Sequence, residues 1–125
     1  MGSRFDAVFT TLKPVLGKYA KHMTVTSDSA TEYTLVSKCA SPFPQHKGKG
    51  LFFGSLRLGK AYVSFHLLPL YMNPRLTKTI SPLLKKRMQG KACFNFKEDP
   101  EPAILSELGR LTEAGFREFR EKKWL

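Results

Sequence analysis

LFFGSLRLGKAYVSFHLL, residues 51–68, holds two β-rich runs, Leu51 to Leu58 and Ala61 to Leu68, around one breaker pair, Gly59-Lys60. Two loop residues that include a glycine suit a tight hairpin, and a tight hairpin sets the register of the strands it joins. In that register Leu58 faces Ala61, Leu56 faces Val63, Gly54 faces Phe65 and Phe52 faces Leu67. Strand side chains alternate, so these residues share one apolar face that requires a covering layer. The opposite face carries Arg57 beside Tyr62, Ser55 beside Ser64 and Phe53 beside His66. It presents a guanidinium, hydroxyls, an imidazole and ring faces, unlike the Thr, Lys and Glu of an ordinary wetted face.

Outward from the hairpin, the covering layer is written in helical periodicity. Phe5, Val8, Phe9, Leu12 and Leu16 recur at the spacing of one buried helix stripe, behind Ser3 as a suitable N-cap. Pro14 lacks an amide donor and crowds the preceding turn, which predicts a kink or a break there. The Thr-rich stretch from Thr24 to Thr34 reads as a loop leading into a strand, Glu32 to Lys38. The Pro- and Gly-rich residues 41–50 exclude regular structure and read as a mobile basic loop.

Asn73-Pro74 ends the second strand, and Ser81-Pro82 opens a short helix with Ser as cap and Pro at the first helical position. In that helix Leu83, Leu84 and Met88 face inward, Lys85, Lys86 and Arg87 point outward, and Gly90 is the stop. Lys91 to Lys97 alternates as a further strand, with Ala92, Phe94 and Phe96 on one side and Lys91, Cys93, Asn95 and Lys97 on the other. Asp99-Pro100 opens a last helix striped by Ile104, Leu105, Leu108 and Leu111; Gly115 ends or bends it, and Phe116 to Leu125 adds an amphipathic turn or two. The order predicts one domain over residues 1–125, a two-layer α+β fold with a mostly antiparallel sheet and helices packed on one face.

Charge and composition narrow the function classes. Lys and Arg total 21 against 10 Asp and Glu, a formal charge of +11 at neutral pH. Such a field draws nucleic acid, anionic surfaces and acidic small molecules. The two cysteines, Cys39 and Cys93, form neither a CxxC nor a disulfide framework, and His22, His46 and His66 show no HxxxH spacing; no metal site is expected. No apolar run approaches the ~20 residues that span a bilayer. MGSRFDAV lacks the apolar core of a signal peptide, so a reduced, cytoplasmic setting with no membrane partner is expected. P-loop, GxGxxG and HExxH signatures are all missing, and no cofactor is implied.

From about Pro42 onward, roughly two-thirds of the chain resembles the YdhG-like family of small bacterial domains. The likeness lies in Pro42-Phe43 before Lys47-Gly48-Lys49, the strand Ala61 to Leu67 leading to Tyr71, the basic helix Leu83 to Met88, Gly90-Lys91 before Phe94-Asn95-Phe96, and the acidic-Pro opening of the last helix. The resemblance implies a compact α+β fold with helices on one side of an antiparallel sheet. Some relatives are assigned as frataxin-like iron chaperones, a role that requires a carboxylate-rich surface of hard oxygen ligands. The acids here are scattered and outnumbered, so that role is not carried over.

Three readings follow. The first is a non-enzymatic domain that binds an anionic small ligand or partner on the polar sheet face through Arg57, Tyr62, Ser64, His66, Lys91 and Asn95. Arg57 suits carboxylate or phosphate, Tyr62 and His66 offer stacking surfaces, and free donors at the Ser81 helix start suit an anion. Against it stands the plainer alternative that Arg57 pairs with a Glu, or that the basic loop or a second subunit in a homodimer covers the face. The second reading is non-specific nucleic-acid binding by Lys85, Lys86, Arg87 and Lys91, extended by Lys47, Lys49 and Lys60. The third is weak catalysis by His66 with Cys93 on a neighbouring strand, although nothing acidic is placed to orient the imidazole. No catalytic residue is assigned.

Overall fold

The computed structural model describes residues 4–40, 50–90 and 92–122. Helix α1 (Arg4–Gly17) and a 3-10 turn (Ala20–His22) precede strands β1 (Thr24–Asp28), β2 (Glu32–Ala40), β3 (Gly50–Leu58) and β4 (Val63–Leu67). Three short helices follow, α2 (Leu68–Met72), α3 (Pro74–Lys78) and α4 (Pro82–Lys85), and then β5 (Cys93–Phe96) and the long α5 (Pro102–Glu121). The strands form an antiparallel meander in the order β1-β2-β3-β4-β5. Helix α1 lies across β3 and β4 and against α5, and α2 wedges between β3 and α5. This is the two-layer α+β architecture that the hydrophobic periodicities require.

The helices hold where their stripes are continuous. Val8, Phe9, Leu12 and Leu16 of α1 are buried as expected. The helix also runs through Pro14 without ending. Pro14 and Thr10 are exposed, so the Thr10 carbonyl that loses its amide partner faces water rather than the core. Helix α5 opens at the second acidic-Pro pair, Glu101-Pro102, rather than at Asp99-Pro100, and continues past Gly115 with Phe116 and Phe119 in the core. In α4, Ser81 caps as expected by accepting from the Leu84 N–H at 3.2 Å, but Leu83 is 44% exposed and only Leu84 is fully buried. Gly90 adopts φ +80°, the left-handed region that glycine enters without cost, and turns the chain back so that Met88 bridges Phe94.

Three expectations are corrected in the sheet. The Thr-rich stretch is not a loop: Thr24–Asp28 forms edge strand β1, and the Ser29 hydroxyl accepts from the N–H groups of Thr31 and Glu32 to close its turn. The second hairpin strand ends at Leu67, six residues before Asn73, because Pro69 starts α2. The hairpin register is offset by two. Gly59 donates to the Tyr62 carbonyl at 2.9 Å, so the reversal centres on Lys60-Ala61, and Leu58 pairs Val63, Leu56 pairs Phe65 and Gly54 pairs Leu67.

An offset of two preserves the faces, but a bulge does not. Opposite β2 the register slips between Leu35↔Gly54 and Val36↔Phe52, leaving Phe53 as the extra residue. Phe53 and Gly54 are therefore both buried although adjacent in sequence. Phe53 packs edge-on to Phe119 with centroids 5.1 Å apart, while Phe52 is turned to the opposite face. The expected placements of these two rings, Phe52 against Leu67 and Phe53 beside His66, are exchanged. Gly54 admits the α1 side chain Leu16 so closely that a Cβ would stand 2.9 Å from its Cδ2.

Candidate functional site on the open sheet face

Pairing across four strands sorts the outward side chains into two rows. One row is Glu32, Arg57, Ser64 and Asn95, and the next is Thr34, Ser55, His66 and Cys93. Neighbouring strands stand about 4.8 Å apart, so each row spans roughly 14 Å. Phe52, brought to this side by the bulge, meets the His66 ring edge-on with centroids 6.0 Å apart. Together Glu32, Thr34, Phe52, Ser55, Arg57, Ser64, His66 and Cys93 line a cavity of about 440 Å³, within the ~300–1,000 Å³ range of small-molecule sites.

The two rows differ in how their polar groups are engaged. In the first row Arg57 Nη2 lies 3.2 Å from Glu32 Oε1, and the Ser64 hydroxyl donates to Asn95 Oδ1 at 3.0 Å. Asn95 in turn donates through Nδ2 to Gln89 Oε1 at 2.5 Å. In the second row the side chains of Thr34, Ser55 and His66 have no hydrogen-bond partner among the described residues. Burial lowers the His66 pKa, which favours the neutral imidazole, with one nitrogen to donate and one to accept.

The expected site residues separate accordingly. Arg57, Ser64 and His66 line one cavity. Asn95 shares the face but is held by Ser64 and Gln89 and does not line the cavity. Tyr62 falls in the reversal instead of the strand, and Ser64 takes the place opposite Arg57 where Tyr62 was expected. Lys91 and the basic loop with Lys47 and Lys49 lie outside the described residues. The Ser81 helix start is not free for an anion, because its N–H and hydroxyl both donate to Glu107. Thr34 and Glu32 were absent from the expected set, although the β2 alternation of Tyr33 and Leu35 already turns both away from the core.

Cys93 stands directly opposite His66 in the β4–β5 pair. Burial raises its thiol pKa, partly offset by a hydrogen bond with Ser64. A lowered imidazole and a raised thiol both favour the neutral pair over thiolate and imidazolium. Among the described residues, no three His, Cys, Asp or Glu side chains gather to hold a metal ion. No described helix is long and apolar enough to cross a membrane. No family model matches the chain, and no curated protein or solved structure matches it either.

Proposed function

We propose that the protein binds an anionic small molecule in the open-face cavity, with Arg57 as its charged contact and Thr34, Ser55 and His66 as neutral ones. One observation carries the reading: three polar side chains without described hydrogen-bond partners line a single cavity beside a guanidinium. Polar groups left open in a concavity are what a ligand with several oxygen atoms would satisfy. The Glu32 carboxylate already meets Arg57, as the plainer alternative anticipates. The Arg57 side chain is 73% exposed, however, and exposed ion pairs contribute only about 0–1 kcal/mol. Glu32 thus acts as an internal occupant that a bidentate carboxylate or phosphate displaces at little cost. The likeness to YdhG-like domains and a cytoplasmic setting belong to the same proposal.

Thermal unfolding in a panel of phosphates and carboxylates tests it. A ligand at 100 times its Kd adds about 2.7 kcal/mol, which raises Tm by on the order of 8 °C in a chain of this size. Arg57→Ala is expected to abolish the shift and Glu32→Gln to enlarge it at a given ligand concentration. Equal shifts in wild type and Arg57→Ala would exclude the cavity as the anion site.

A further inference from the structure

We infer that the protein has a second binding surface, for single-stranded nucleic acid, built around Tyr71 on α2 together with α3 and α4. Between Glu32 and Glu98 the chain contains 12 of its 21 Lys and Arg residues and none of its ten Asp and Glu. Five of those cations, Arg75, Lys78, Lys85, Lys86 and Arg87, sit exposed on α3, α4 and the turn that follows. Elsewhere the described cations Lys13, Arg57, Arg110, Arg117 and Lys122 each meet a carboxylate. Among the described residues Arg75, Lys78, Lys85, Lys86 and Arg87 form no ion pair, although all ten Asp and Glu are described. A folded surface that only needed solubility would intersperse both signs.

Charge alone would suit any polyanion; the second observation is a cavity that two of the cations, Lys78 and Lys85, help to line. Leu70, Tyr71, Pro74, Thr77, Lys78 and Lys85 line a concavity of about 310 Å³. Its lining is mostly apolar, Lys78 and Lys85 contribute to it, and Tyr71 is 63% exposed. The Thr77 hydroxyl is turned back to the Leu70 carbonyl at 2.9 Å, which ties α3 to α2 and holds the shape. An aromatic ring beside an apolar floor accepts the flat face of a base, and ammonium groups within reach accept its phosphates. A duplex hides base faces in its stack, so the occupant is a single strand. Five cations spread over α3, α4 and the turn after it match successive phosphates along such a strand better than one isolated anion. The reading extends the basic cluster expected at Lys85, Lys86 and Arg87 towards α2 and α3, and it is independent of the open-face site.

Fluorescence anisotropy with a labelled single-stranded oligothymidylate, its duplex counterpart and phosphatidylserine vesicles tests the inference on the full chain. Single-strand affinity should fall with salt at a log–log slope of about −3.5, from five contacts at about 0.7 each. The triple variant Lys85→Ala/Lys86→Ala/Arg87→Ala should reduce that slope by about 2. Tyr71→Ala should weaken binding roughly tenfold at unchanged slope, whereas Tyr71→Phe, which keeps the ring face, should bind as wild type. Arg57→Ala should leave oligonucleotide binding untouched, which separates this surface from the sheet-face site, and circular dichroism of each variant confirms the fold. Duplex binding as tight as single-strand binding, a neutral Tyr71→Ala, or binding to vesicles without binding to the oligonucleotide each overturns the inference.

Discussion

Glu107 accepts two hydrogen bonds from Ser81, one from the backbone N–H at 2.7 Å and one from the hydroxyl at 2.6 Å. The pair pins the start of α4, and with it the basic segment, to the second turn of α5. The Glu107 side chain is only 12% exposed, so water replaces it poorly. Glu107→Ala is expected to cost about 1–3 kcal/mol by leaving a half-buried N–H without an acceptor. Ser81→Ala is expected to cost about 1–2 kcal/mol, because it removes the cap on Leu84 as well. Since the two changes remove a shared interaction, the double variant should lose less than the sum, which urea denaturation of all four proteins would show.

Two glycines on α5 predict opposite outcomes for the same substitution. A Cβ at Gly115 would stand 2.6 Å from Pro69 Cγ and 2.7 Å from its Cβ, where α2 crosses the helix. Gly115→Ala should therefore force α2 outward and cost about 1–3 kcal/mol. At Gly109 a Cβ meets nothing within 4 Å, so Gly109→Ala should gain about 0.5–1 kcal/mol from helix propensity alone. Thermal melts of the two variants should move in opposite directions, and equal shifts would contradict the packing described for α2.

These contrasts also mark what is legible in a sequence of this kind. The stripes Val8–Leu16 and Ile104–Leu111, the Ser81-Pro82 cap and the alternation of Ala92, Phe94 and Phe96 name their elements because burial is periodic there. Strand β1 has no such mark: it is a mostly exposed edge, so its alternation carries no hydrophobic signal. The bulge at Phe53 is hidden for a different reason. Three apolar or small residues in a row, Phe52, Phe53 and Gly54, are compatible with either phase, and the choice between them lies in tertiary contacts such as Leu16 on Gly54 and Phe119 on Phe53. Arg57, Ser64 and His66 survive on one face because the turn error is an even number of residues. Tyr62 does not, because the same error moves the reversal onto it.

The open face carries a pH signature. Burial depresses the His66 pKa below its ordinary value of 6.5. The unfolded chain therefore binds the proton first on acidification, and stability rises with pH wherever the unfolded state binds more protons. Wild type should lose stability as pH falls below about 6.5, until the folded imidazole itself titrates, while above that range the group contributes no slope. His66→Gln should flatten that segment of the profile. Urea midpoints measured from pH 7.5 to pH 5 on both proteins would show the difference, and parallel profiles would place the titrating group elsewhere.

The chemistry of Cys93 follows from the same burial. Its thiol is raised above the ordinary 9.0 by desolvation, and the Ser64 hydrogen bond only partly offsets this. Reaction with iodoacetamide proceeds through the thiolate, so in a Cys39→Ser background Cys93 should alkylate more slowly at pH 7 than cysteine in an unstructured peptide. The rate should climb with pH without a plateau below about pH 9. His66→Ala should leave it nearly unchanged, because a neutral imidazole without a carboxylate partner does not draw off the thiol proton. Fast alkylation at pH 6 that collapses in His66→Ala would instead demonstrate a thiolate–imidazolium pair and restore the catalytic reading of the β4–β5 juxtaposition.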